Sequence, residues 1–326
     1  MAHRTQQTKL MAAARSSSSE VAVLQMRRLS ECPFDVAVQA WNEGFHGYFV
    51  DMTLSLDSYL ARLQREGLSP EFSLLALCDG KPAGFLLNGI RTNAGPRVAW
   101  NGGTGVSPQF RGRGVGKALM QATVALYQEL GVQIATLEAI RDNEPAISLY
   151  RQFGYEVVDG LVFFNHGGKL SAGAFQQANS QKYKTAQVPP YKVGQLDFYQ
   201  QLAPWQGHWQ SLVRHNGAAL IVTDSEAAAV GYALYNKKHD EQGRVTEIAL
   251  HQCVATPATQ TEAVIACALQ HVFAPLELDC KRSTYNFSKS NETVLKMLFD
   301  AGFTSFIEQV HMERMFNSDH FEFQEK

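Results

Sequence analysis

"VSPQFRGRGVGKALM", Val106–Met120, is the stretch whose reading decides the fold. Gly112, Gly114 and Gly116 alternate with Arg113 and Val115 between Arg111 and Lys117, and Val115, Leu119, Ala122, Leu126 and Leu130 then recur at helical spacing until Gly131 supplies a stop. A flexible cationic loop that opens a helix gathers free backbone N–H groups at the positive end of the helix dipole, which is an anion site. Two nucleotide loops fail on spacing. A P-loop requires Ser or Thr after Gly-Lys, where Ala118 stands. A dinucleotide fingerprint requires glycine at 117 or 119, occupied by Lys117 and Leu119. The spacing that fits is R-x-x-G-x-G, carried by Arg111, Gly114 and Gly116. Amides can converge on a pyrophosphate there only if no Cβ stands between them. From the loop alone, a glycine-rich turn with solvated basic residues stays an open alternative.

The chain of 326 residues is comfortable for two domains, and 45% apolar with 18% charged residues is ordinary globular composition. A net charge of −2 gives no global field for nucleic acid, and no apolar run is long enough to span a bilayer. Residues 1–20 lack an apolar signal region and read as a disordered leader or tag. Five scattered cysteines without C-x-x-C suit reduced thiols in a cytoplasm, and no histidine spacing suggests a metal site.

Patterned sequence runs over 21–165, a Gly/Ser/Gln-rich linker over 166–181, a second patterned block over 182–316, and a polar tail over 317–326. The blocks repeat one plan. Asn143 aligns with Asn291, Glu144 with Glu292 and Gly154 with Gly302, each 148 residues apart, while Gly84 and Gly231 are 147 apart. In the first block, "FSLLALCDGKPAGFLLNGI" predicts two strands joined at Asp79–Gly80, and "RVAWNGGTGV" a third, whose Gly102, Gly103 and Gly105 mark a bulge or a close backbone approach. "IATLEAI" predicts a strand, and "EPAISLYRQF" a helix with Pro145 in its first turn. The order is mixed α/β, α+β-like.

"VSPQFRGRGVGKALM" followed by "NEPAISLYRQFGYE" resembles the GNAT superfamily of acyl-CoA-dependent N-acyltransferases. The resemblance covers the plan of Val21–Phe164. It implies two tandem GNAT-type domains, each a central mixed, mostly antiparallel sheet with flanking helices, and acetyl-CoA as the acyl donor without a metal. By resemblance, Val106 and its neighbours would pair with the pantetheine arm. Arg111, Gly112, Arg113, Gly114, Val115, Gly116 and Lys117 would wrap the pyrophosphate. Asn143 would bind pantetheine or shape the splayed strand ends, and Tyr150 would protonate the departing thiolate. Many relatives place a carboxylate base on the strand before the loop, but "VAWNGGTGV" has none. Glu138 is the substitute, with an edge or outward-facing salt-bridged glutamate as the alternative. His46 and Tyr48, in "GFHGYF", lie where relatives build the acceptor pocket.

In the second block "VATPATQTEAVIACALQ" has neither the glycines nor the arginines of the loop, and Leu298 stands where Tyr150 does. The block reads as a degenerate GNAT-like domain, with three roles open: completing the acceptor pocket, stabilising the first domain or forming a homodimer. Trp205, His208 and Trp209 are open to pocket-wall or packing roles. The expected activity is transfer of an acetyl group to an amine of a small molecule or peptide; the non-enzymatic alternative is an acyl-CoA-binding sensor or scaffold.

Overall fold

Asp79 and Gly80 both take positive φ, 49° and 76°, and close a two-residue hairpin between β2 (Leu74–Cys78) and β3 (Lys81–Thr92), with β1 (Leu24–Arg28) antiparallel to β2. The computed structural model describes residues 24–92, 95–257 and 260–316; the expected leader at 1–20 and tail at 317–326 lie outside them. The amino-terminal half continues with β4 (Arg97–Val106), β5 (Ile134–Ile140) and β6 (Glu156–His166). Its helices are α1 (Phe34–Gly44), α2 (Leu56–Glu66), α3 (Val115–Glu129) and α4 (Glu144–Gln152). Each helix buries one stripe; Val115, Leu119, Met120 and Leu126 of α3 sit in a core with Ala135, Leu137 and Tyr150.

The carboxy-terminal half repeats the order. Its strands are β7 (Lys184–Val188), β8 (Ala218–Thr223), β9 (Ala229–His239), β10 (Val245–Ala255), β11 (Lys281–Thr284), β12 (Phe287–Ser288) and β13 (Thr304–Met315). Its helices are α5 (Pro190–Val193), α6 (Trp209–Arg214), α7 (Thr261–Val272) and α8 (Glu292–Asp300).

The two halves share one 13-stranded sheet, ordered β1-β2-β3-β4-β5-β13-β6-β11-β10-β9-β8-β7, with β12 beside β6. The centre of that order is an exchange. β13, from the end of the chain, lies antiparallel between β5 and β6 of the amino-terminal half, and β6 reaches across to pair with β11 of the other half. Side chains follow the strands: Met312 is buried among Leu137 and Tyr155, while Val162 and Phe164 of β6 are buried in the carboxy-terminal core. The segment expected as a linker is packed as well. Leu170, Ala174 and Phe175 are buried in that core, and the fully buried guanidinium of Arg282 donates to the carbonyl of Gly168 at 2.7 Å.

Trp205 adds a second bond between the halves. It stacks on Trp100 with centroids 5.4 Å apart, lies under Arg91, and donates from Nε1 to the Glu66 carbonyl at 2.7 Å. Packing, rather than a pocket wall, is its main occupation.

Strand exchange predicts that the halves do not fold apart. A fragment ending at Tyr183 leaves β5 with one bare edge and β6 with two, a template for aggregation. It is expected to be aggregated or oligomeric by size-exclusion chromatography, and to become soluble when co-expressed with residues 184–326. A monomeric fragment that melts cooperatively would contradict this.

Candidate active site

The site begins where a ladder ends. β4 and β5 pair in parallel from Val98↔Ile134 to Asn101↔Leu137 and then part, β4 running on to Val106 and β5 staying with β13 as far as Ile140↔Gln309. A register shift between Leu87 and Asn88 leaves Gly102 out of the β3–β4 ladder, the bulge expected there. The crowding at these glycines comes from the protein itself. A Cβ on Gly102 would meet the Trp100 ring at 2.5 Å, and one on Gly105 would meet Phe85 at 2.4 Å. Asn101 ties the bulge by accepting from Gly103 N and donating to Thr104 Oγ1.

Beyond Val106 the loop enters α3. Gly112 and Gly114 have φ of 73° and 81°, a conformation that disfavours any side chain, and open space lies where their Cβ atoms would be. Gly114 is the N-cap, and no side chain caps the helix, so the first-turn amides around Val115, Gly116 and Lys117 keep their donors for an outside acceptor. These features fit a diphosphate. Gly116 answers to packing, its Cβ position lying 3.3 Å from Leu149 and 3.6 Å from Val106. Arg111 departs from the expected role. Its guanidinium donates to the carbonyls of Val106 at 3.0 Å, Gly44 at 3.3 Å and His46 at 2.9 Å, clamping the end of α1 to the end of β4. Arg111, Arg113, which lies over the Phe110 ring, and Lys117 are all exposed.

A cavity of about 270 Å³ opens along the gap, lined by Tyr48, Thr104, Glu138, Asn143 and Tyr150. Gln206, Tyr285 and Gln309 close it from the carboxy-terminal half. Asn143 caps α4 by accepting from Ala146 N at 3.4 Å and also bonds the Tyr48 hydroxyl. Burial pushes the Tyr150 hydroxyl up to about 12; a hydrogen bond with Thr104 offsets this in part, and neighbouring Tyr48 adds to it. Tyr150 is therefore a protonated donor at neutral pH. His46 stays outside: α1 stops at Gly44, and the following turn exposes His46 in a shallow groove with Asn42 and Asp51, whereas Tyr48 lines both that groove and the cavity.

Glu138 lies on an interior strand, its side chain 5% exposed. Its Oε2 accepts from Trp100 Nε1 at 2.7 Å, and its Oε1 is 3.5 Å from Nδ1 of His311, the residue opposite it on β13. His311 Nε2 is 3.4 Å from Glu313 Oε1. Burial alone would push the imidazole down, but Glu138 and Glu313 outweigh it and hold His311 up to about 9. Sequence reasoning missed Trp100, Thr104, His311 and Gln206. Among the described residues, no cluster of His, Cys, Asp or Glu could hold a metal ion, and no helix is long and apolar enough to cross a membrane.

The carboxy-terminal half keeps the bulge, at His251 between Leu250 and Gln252, but closes the gap. Asn291 Nδ2 donates to the Cys253 carbonyl at 2.6 Å, tying the start of α8 to β10 in place of capping its own helix. Leu298 is fully buried, and Glu262 puts negative charge in the first turn of α7.

Residues 35–155 match the model of the Acetyltransferase (GNAT) family. The mycothiol acetyltransferase of Pseudarthrobacter chlorophenolicus is 35% identical over 107 residues, 32% of this chain and 33% of that protein. The chain thus spans about a third of the length of the curated relatives it matches. Among the solved structures that match nearly end to end are two GNAT proteins. One is a GCN5-related N-acetyltransferase from Sphaerobacter thermophilus, with a TM-score of 0.61 and 14% identity over 90% of this chain and 95% of that one. The other is a tandem GNAT protein from the clavulanic acid biosynthesis pathway, with a TM-score of 0.56 and 13% identity over 91% of this chain and 100% of that one. At such identities the likeness is one of fold, and it extends over both halves.

Two substitutions separate backbone from charge in the loop. Gly114→Val is expected to lose roughly 1–2 kcal/mol of stability, because L-residues resist positive φ, and to weaken acetyl-CoA binding at least tenfold. Lys117→Ala should leave the melting temperature unchanged and weaken binding most at low salt. Isothermal titration calorimetry giving wild-type affinity for both would overturn the loop assignment.

Proposed function

We propose that this chain, whose residues 35–155 form a domain of the GNAT acetyltransferase family and whose two halves share the tandem GNAT fold, transfers the acetyl group of acetyl-CoA to an amine of a small molecule. The observation that carries this reading is the convergence of the Tyr150 hydroxyl and the Glu138 carboxylate on one cavity beside the β4–β5 gap. The uncapped start of α3 would take the diphosphate, and the freed end of β4 the pantetheine arm. The acetyl carbonyl would then face main-chain donors of β4, with Tyr150 supplying a proton to the leaving sulfur.

Glu138 would hold the acceptor by its N–H groups. As the amine nitrogen bonds to the carbonyl carbon it becomes cationic and far more acidic, so a carboxylate at its side stabilises the charge and accepts its proton. The closure of the cavity by Gln206, Tyr285 and Gln309 suits a small acceptor, and it gives the degenerate half its place in the reaction. All five cysteines are free, which suits a reducing cytoplasm.

Thiol release from acetyl-CoA across a panel of small amines tests the proposal. Acceptor-dependent release is expected, with Tyr150→Phe lowering turnover about 10²-fold or more and acetyl-CoA affinity staying within about twofold of wild type, because a general acid acts in the transition state and not in ground-state binding. Acetyl-CoA binding with no acceptor-dependent release would instead support the sensor reading. Wild-type turnover in Tyr150→Phe would remove the acid role.

A further inference from the structure

His311 does not line the cavity; it stands behind Glu138, its side chain 4% exposed. Neither imidazole nitrogen nor Glu138 Oε1 has a hydrogen bond to any other group among the described residues, so the contacts at 3.5 Å and 3.4 Å are what the imidazole has. A buried carboxylate has about four lone-pair sites to satisfy, and Trp100 Nε1 fills one of them. An unpaired charge in such a place is costly and tends to neutralise itself. The other titratable neighbours do not do this work. Arg91 on β3 and Tyr285 after β11 act on Glu138 only through space, and Arg62 of α2, which lines the same cavity, donates to the Gly102 carbonyl at 3.1 Å. Asp159, opposite His311 on β6, has its carboxylate turned to the Ser288 hydroxyl.

We propose that His311 is the positioning residue for Glu138: as an imidazolium bridging Glu138 and Glu313, it holds the carboxylate in place beside the acceptor cavity. A strand of the half that has lost the cofactor loop thereby supplies charge to the other half's site. The role of Glu138 itself rests on the acetyltransferase reading above, whereas the pairing with His311 does not.

The sign of the effect follows from burial. Without the imidazolium, the buried Glu138 carboxylate loses the charged contact that fixes its place, so turnover falls. Without Glu313, the imidazolium loses one of its two supports and gives up its proton at lower pH, so the alkaline limb moves down.

The test compares pH–rate profiles of the full chain for wild type, His311→Gln, Glu138→Gln, the double variant and Glu313→Gln, with a histidine-selective NMR titration beside them. His311→Gln should lower turnover and leave the KM for acetyl-CoA unchanged. In the Glu138→Gln background it should add nothing. Glu313→Gln, at a site 15% exposed, serves if His311→Gln does not fold. In wild type the His311 resonance should stay that of an imidazolium past about pH 8, and it should titrate at lower pH in Glu138→Gln. Wild-type turnover in His311→Gln, or losses that multiply in the double variant, would overturn the proposal. If wild type transfers acetyl to no acceptor, the functional reading fails, and the titration alone decides the pairing: a His311 transition unaffected by Glu138→Gln would overturn it.

Discussion

β5 can part from β4 after Leu137 because β13 pairs with its opposite edge throughout, from Met315↔Ile134 to Gln309↔Ile140. A strand freed on one edge leaves N–H and C=O groups without partners, and it holds its line only if the other edge is fully bonded. That support comes from the far end of the chain. The gap, the cavity along it and the placement of Glu138 all follow from a ladder that neither half could build alone.

The exchange also explains how the halves differ while sharing a plan. In the amino-terminal half, Gly112 and Gly114 hold a loop that no side chain caps, and Arg111 spans from β4 to the end of α1. In the carboxy-terminal half, Asn291 ties α8 to β10 across the corresponding space and Leu298 fills the position of Tyr150. The carboxy-terminal half carries structural duties for the other. It delivers β13 to β5, Trp205 to Trp100, and Gln206 and Tyr285 to the rim of the cavity.

What was legible in the sequence was local. The hairpin at Asp79–Gly80, the bulge among Gly102, Gly103 and Gly105, the glycine loop before α3 and the start of α4 at Pro145 are each set by φ or by hydrogen bonds within a few residues. Periodicity also found the tandem plan. What escaped depends on pairing between distant segments. No pattern near Glu138 announces that the residue opposite it lies 173 positions later on β13, and no short-range rule assigns Trp205 to the face of Trp100. Side-chain direction was equally out of reach. Arg111 has the right spacing for a phosphate yet turns to three carbonyls, and His46 and Tyr48, two residues apart, share an outer groove while only Tyr48 reaches the cavity.

Hydrogen–deuterium exchange with and without acetyl-CoA examines the gap and the loop together, because both are read as backbone sites. Saturating acetyl-CoA should slow exchange at residues 102–106 and 112–117 and leave 251–265 unchanged. Protection in the carboxy-terminal segment instead, or none in either, would contradict the account.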